Sequence, residues 1–169
     1  MTTKNNSASD TSDREIVLSR VFDAPRELVW QAMSDPKHVV NWWGPRGFST
    51  TTEQFDFRVG GVWKHTIHGP DGTNYPNKSV FREIVPFERI AYSHGGGREN
   101  GPGVSFMATW TFEDAGVGKT RLTLRQRFSS PDQRDFVVKE FGAIEGGKQT
   151  FERLAEYLPK ISAVPKKSV

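Results

Sequence analysis

The hydrophobic pattern of this chain changes period twice. Residues 14–22 (Arg-Glu-Ile-Val-Leu-Ser-Arg-Val-Phe) are rich in β-branched residues and read as a strand. A helical stretch follows, with Asp23 placed to cap it and Pro25 in its first turn, running to about Met33. Ser34-Asp35-Pro36 interrupts it, and a second short helix from Pro36 carries His38, Val39, Val40 and the pair Trp42-Trp43 before Gly44-Pro45 ends it. The period then becomes two. Strands are predicted over 48–57, 62–68, 78–85, 88–94, 104–113 and 119–128. Between them lie turn signals at Val59-Gly60-Gly61, Gly69-Pro70-Asp71-Gly72, Pro86-Phe87 and Asp114 to Gly118, which specify an antiparallel meander. Alternation is plain in Phe106-x-Ala108-x-Trp110-x-Phe112 and in Leu122-x-Leu124-x-Gln126-x-Phe128. Ser130-Pro131-Asp132 opens the last element, where Phe141, Ile144, Phe151, Leu154, Ala155 and Leu158 recur at helical spacing. This predicts one long amphipathic helix to about Leu158, kinked near Gly146-Gly147 and stopped by Pro159.

The predicted architecture is α+β. A curved antiparallel sheet of about seven strands wraps one long C-terminal helix, with two short helices between strands 1 and 2. A sheet with one apolar face needs a cover, and the long helix is the only predicted element large enough. One helix cannot fill a strongly curved sheet, so space is expected between them, closed at one end by the short helices. The tryptophan pair belongs to that cap. An indole buries roughly 200 Å2 when packed, and neighbouring residues on a helix point about 100° apart. Trp43 is therefore expected to face the space and Trp42 to pack beneath the cap.

The order of elements and several local runs resemble the SRPBCC (START-like, helix-grip) superfamily. The bacterial branch named after the C-terminal domain of the activator of the heat-shock protein 90 ATPase is the most similar. The runs are Arg20-Val21-Phe22-Asp23-Ala24-Pro25 with Val29-Trp30, Trp42-Trp43-Gly44-Pro45, and Asp56-Phe57-Arg58-Val59-Gly60-Gly61-Val62-Trp63. They continue with Gly69-Pro70-Asp71-Gly72, Glu83-Ile84-Val85-Pro86-Phe87-Glu88-Arg89-Ile90, Thr120-Arg121-Leu122 and Leu154-Ala155-x-x-Leu158, together spanning most of 14–158. The resemblance implies a helix-grip fold and a cavity for an apolar or aromatic small molecule, lipids included. Members often carry Gly-Trp in the last helix. Here that place reads Gly146-Gly147, which implies an enlarged pocket or a closure moved onto Trp43 and Trp63.

Charge and composition narrow the partners. The net charge is +3 over 169 residues, and Cys is absent, which excludes disulfides, thiolate metal sites and cysteine nucleophiles. Lys4 and Asp10 cancel within residues 1–12, while Lys160, Lys166 and Lys167 account for the excess. The body is neutral, so a nucleic-acid-tracking surface is not expected. The organisation read from this is a disordered tail over 1–12, a single domain over 13–158 and a basic tail over 159–169. Neither a signal peptide nor a run of apolar residues able to span a bilayer is seen. A cytoplasmic protein, monomeric or a homodimer, is expected.

The candidate chemistry is sparse. His65 and His68 lie three apart on a strand and point to opposite faces, so they do not chelate one ion, and no metal or cofactor is expected. His65 shares a face with Trp63 and Ile67, and His94 shares one with Tyr92 and Ile90. With Gln126 they are either polar groups of the core or an acid/base set for a cyclase, dehydratase or hydrolase step. Asp56 and Arg58 bracket a turn and read as structural. The glycine-rich run Gly95 to Gly103 lacks Gly-Lys-Ser/Thr and reads as a loop at the pocket mouth. The expected ligand-binding residues are Trp43, Trp63, His65, Tyr92, Phe106, Trp110, Phe141 and Phe151. The favoured function is binding of an apolar ligand, with an enzyme in the same cavity as the alternative. A co-chaperone of heat-shock protein 90 is a third reading. It rests on the family name alone, because that activator carries an additional N-terminal domain and only a twelve-residue tail precedes the first strand here.

Overall fold

The computed structural model describes residues 12–97, 101 and 103–162. After a 3-10 turn at Ser12–Arg14, the chain forms β1 (Glu15–Phe22), α1 (Arg26–Ser34) and α2 (Pro36–Val39). Six strands follow: β2 (Ser49–Phe55), β3 (Val62–His68), β4 (Asn74–Val85), β5 (Arg89–Gly96), β6 (Val104–Asp114) and β7 (Thr120–Arg127). Two helices, α3 (Pro131–Phe141) and α4 (Ala143–Ser162), complete the described chain. All strand pairs are antiparallel, in the order β1-β7-β6-β5-β4-β3-β2. Register shifts between Thr52 and Gln54 and between Phe81 and Glu83 mark bulges, which increase local twist and bend the sheet. This is the predicted α+β helix-grip arrangement.

Alternation sets the faces as expected. Ala108, Trp110 and Phe112 on β6 and Leu122 and Leu124 on β7 are buried, together with Ile90 and Tyr92 on β5. From α4, Phe151, Leu154 and Leu158 enter the same core, joined by Phe22, Val29 and Trp30. A second cluster of Ile16, Val104, Phe128 and Val137 packs under α3. Among the described residues, no helix is long and apolar enough to cross a membrane.

The helical layer departs from the periodicity reading. The expected single helix is two, and its break falls at Gly142 rather than at Gly146-Gly147. Gly142 adopts the left-handed conformation (φ 58°) that caps α3, a geometry that costs glycine little. Gly146 and Gly147 remain helical because close approach, not bending, is their use. A Cβ on Gly147 would overlap a Leu18 methyl of β1, and one on Gly146 would sit 3.3 Å from the Pro45 ring. Pro159 does not stop α4, which runs on through Lys160 to Ser162. Proline removes one hydrogen bond there, a small loss in the last turn. The predicted basic tail therefore begins inside a helix, and its residues 163–169 lie outside the described residues, as do 1–11 of the predicted N-terminal tail.

Two smaller corrections concern α1 and α2. Asp23 does not cap α1. It pairs with Lys119 at 3.1 Å on the surface, and Pro25 occupies the cap position with no side-chain hydrogen bond. The second helix is shorter than expected, ending at Val39, with Asp35 capping it through Lys37 N at 2.9 Å. The tryptophan pair lies in the turn beyond. Finally, Gly95 and Gly96 belong to β5 rather than to a loop, while residues 98–100 and 102 of the glycine-rich run lie outside the described residues.

Candidate functional site

The space between sheet and helices is a cavity in two adjoining parts. An inner chamber of about 220 Å3 is walled by α4 and by β5, β6 and β7. An outer vestibule of about 260 Å3 opens between α3 and β3, β4 and β5, near Gly97. The two share Pro45, Ile67, His94, Val137 and Phe141.

Of the residues expected to bind ligand, Trp43, Tyr92, Phe106, Trp110, Phe141 and Phe151 line the inner chamber. Trp63 and His65 do not. They are buried behind Trp43, whose ring lies 4.8 Å from Trp63 and edge-on to His65. The tryptophan pair divides as expected. Trp42 is fully buried beneath the cap and donates its Nε1–H to the Ala32 carbonyl at 3.0 Å, while Trp43 faces the chamber. The space implied at Gly147 is partly taken by Leu18, which also lines the chamber.

His94 and Gln126 both face the cavity. The His94 ring is fully engaged by β4. Asn77 donates its Nδ2–H to the Tyr75 carbonyl at 2.8 Å, so its Oδ1 is the atom toward His94 and accepts from Nε2–H at 3.1 Å. In the neutral ring Nδ1 is then an acceptor, filled by the Ser79 hydroxyl at 3.0 Å. Burial pushes the His94 pKa down to about 4. The ring is thus neutral at pH 7 with both nitrogens committed.

His65 is a different case. It is completely buried and stacked on Trp63 with ring centroids 3.8 Å apart. Neither ring nitrogen has a hydrogen-bond partner of good geometry. Burial above all, and then the neighbouring His94, pushes its pKa down to about 3, offset only in part by the Trp63 backbone. His68 points to the other face of β3, where it meets Thr51 and Asn74. Asp56 and Arg58 pair at 2.9 Å on the surface beside their turn.

Sequence reading missed Asn77 and Ser79. Both are buried on the inward parity of β4 that Phe81 shares. Asn77 fell outside the predicted strand 78–85, whereas β4 begins at residue 74, while Ser79 lay inside it at a parity that Phe81 already marked as inward. It also missed Arg153, for which no local signal exists. From α4, Arg153 Nη1 donates to the carbonyls of Trp43, Gly44 and Pro45 at 3.2, 2.9 and 3.2 Å, and Nη2 to that of Asn41 at 3.4 Å. Arg46 adds ion pairs to Glu152 and Glu156 at 3.2 and 2.6 Å. The connector bearing Trp43 is therefore clamped to α4 mainly by one guanidinium. Hydrogen bonds to a charged group contribute about 1.5–3 kcal/mol. Arg153→Met is expected to lower unfolding free energy by about 2 kcal/mol and to speed amide exchange at Trp43 and Phe48. Unchanged exchange there would show that the clamp does not hold the connector.

A curved sheet closed by a clamped cap and one helix, with an apolar chamber between, defines a helix-grip cavity protein. The sequence pattern of the family described as "Activator of Hsp90 ATPase homolog 1-like protein" matches residues 23–159, and the chain belongs to that family. Solved structures agree. A protein from Arthrobacter aurescens is 27% identical with a TM-score of 0.81, over 95% of this chain and 92% of that one. One from Chromobacterium violaceum is 26% identical with a TM-score of 0.70, over 84% and 95%. The AHSA1 protein from Silicibacter pomeroyi, 20% identical with a TM-score of 0.70 over 87% and 99%, shares the fold. No curated protein matches the sequence.

Proposed function

We propose that this protein binds an apolar or aromatic small molecule in the inner chamber. The observation that carries this reading is a chamber of about 220 Å3 walled mostly by Leu18, Trp43, Phe106, Trp110, Leu124 and Phe151. Protein interiors are close-packed and hold few voids larger than a water molecule. An apolar cavity of about 150 Å3 is enough to take up benzene. Release of apolar surface from water, at about 25 cal/mol per Å2, supplies the driving force.

The vestibule gives the ligand a way in between α3 and the sheet. The clamp of Arg153 on the Trp43 connector keeps the opposite end shut. The acid/base reading has less support, because both nitrogens of His94 are held by Asn77 and Ser79, and His65 does not reach the cavity. The test is a fluorescence titration with N-phenyl-1-naphthylamine, a neutral dye that brightens in apolar surroundings, alongside native mass spectrometry of the protein as purified. Saturable one-to-one binding is expected. No enhancement up to the solubility limit of the dye would overturn the reading.

A further inference from the structure

The chamber carries polar groups whose hydrogen-bonding capacity the protein does not use. Gln126 lines it, half-buried, and its side-chain amide has no hydrogen-bond partner among the described residues. Tyr92 is buried in the same wall. Its hydroxyl oxygen accepts from Trp110 Nε1–H at 3.0 Å, which leaves its own proton free to donate. The register places the two in one row. Gln126 on β7 stands opposite Ala108 on β6, and Ala108 stands opposite Tyr92 on β5. Two strand spacings, about 9.6 Å, separate their backbones, and the residue between them has only a methyl side chain.

The other polar groups of the chamber are spoken for. His94 is held by Asn77 and Ser79. The Thr150 hydroxyl donates to the Gly146 carbonyl at 2.9 Å. No charged side chain among the described residues lines the inner chamber. Arg153 lies behind the connector, on backbone carbonyls. Among the described residues, the one charged residue lining the vestibule is Glu140, which is exposed. A buried anion without a counter-charge is strongly disfavoured, and Glu140 repels one at the mouth. An unpaired amide in an apolar chamber, by contrast, favours a ligand that supplies both a donor and an acceptor.

We infer that the ligand is a neutral molecule of one or two rings carrying a carboxamide, lactam or similar donor–acceptor group, which Gln126 and Tyr92 read, and that carboxylates of the same shape are rejected. This rests on the reading of the chamber as a binding site. It extends that reading from apolar affinity to a recognised head group and a charge state.

The experiment compares three probes of one shape: naphthalene, 2-naphthamide and 2-naphthoate. Protein is titrated into each by calorimetry at pH 7.5. Naphthalene is expected to bind, 2-naphthamide about tenfold more tightly, and 2-naphthoate at least about a hundredfold more weakly than the amide. In Gln126→Leu, the gain of the amide over naphthalene is expected to disappear while naphthalene affinity is kept. Tyr92→Phe is expected to remove part of the same gain, and it checks the result should Gln126→Leu fold poorly. Naphthalene binding without preference for the amide, or 2-naphthoate binding as tightly as 2-naphthamide, would overturn this inference and leave the cavity reading standing. Absence of naphthalene binding would overturn both.

Discussion

Thr150→Trp is expected to weaken the binding of N-phenyl-1-naphthylamine strongly while the protein stays folded. Thr150 lies on the face of α4 that lines the inner chamber, beside Phe151 and one turn after Gly146. Among the described residues its side chain bonds only to a carbonyl of its own helix, so replacing it leaves no distant partner stranded. An indole at this position projects into the chamber and occupies much of its volume of about 220 Å3. Filling a void adds packing contacts, and the strain of imperfect fit costs about 1–3 kcal/mol. Binding is expected to weaken by more than about thirtyfold, equivalent to about 2 kcal/mol. Urea denaturation and the dye titration on the same preparation separate folding from binding. Thr150→Ala, which leaves the chamber open, is expected to bind as the unaltered protein does. If Thr150→Trp binds the dye normally, the dye sits elsewhere and the chamber is not the site. Gly147 is a poorer place for the same test, since a side chain there collides first with Leu18.

Acidification from pH 7 to pH 5 is expected to remove about 4 kcal/mol of stability through two histidines. Both have an ordinary pKa of 6.5, and in the folded protein these fall to about 3 for His65 and about 4 for His94. Both values are depressed, so protons favour the unfolded chain. The contribution is complete above about pH 6.5 and is lost as pH falls toward the folded values. At pH 5 each histidine costs about 2 kcal/mol, at 1.36 kcal/mol per unit. The groups packed on His65 are Trp63, Trp43 and His94, none of which offers a compensating negative charge. The exposed carboxylates Glu83 and Glu156 are held below their usual range by Arg89 and Arg46, so their losses come at lower pH and do not blur the window. His65→Leu is expected to halve the pH dependence. It also removes two unsatisfied buried nitrogens, so stability at pH 7 should rise by about 1 kcal/mol. Urea midpoints at pH 7 and pH 5 for both proteins decide this. An unchanged slope in His65→Leu would show that the buried ring is not the source.

Much of this site was legible because strand periodicity is a local property. With a period of two, the parity of Tyr92, His94, Phe106, Trp110, Leu124 and Gln126 on their strands follows from their neighbours. The turn signals fix which strands are adjacent, and hence which of these residues share a wall. The assignment of Trp43 to the chamber and Trp42 to the core needed only that consecutive side chains diverge. Helix breaks were less legible. Three glycines stand within six residues, and the sequence does not distinguish one used for a left-handed turn, Gly142, from two used for close packing, Gly146 and Gly147.

By itself, the sequence determined the meander from β2 to β7, the inward face of the sheet, the neutral body and an apolar lining in search of a ligand, whereas the pairing of β1 with β7 was decided by the tertiary structure. Only the tertiary structure decided that Trp63 and His65 sit behind the wall rather than in it. It alone showed Asn77 and Ser79 consuming both nitrogens of His94, which leaves Gln126 and Tyr92 with free hydrogen-bonding capacity. The clamp of Arg153, more than a hundred residues from the carbonyls it holds, is of the same kind. The reason is common to all three. A side chain's direction along its own element is set by neighbours in sequence. The partner that satisfies its polar atoms is set by chain closure over long distances, and no local pattern encodes it.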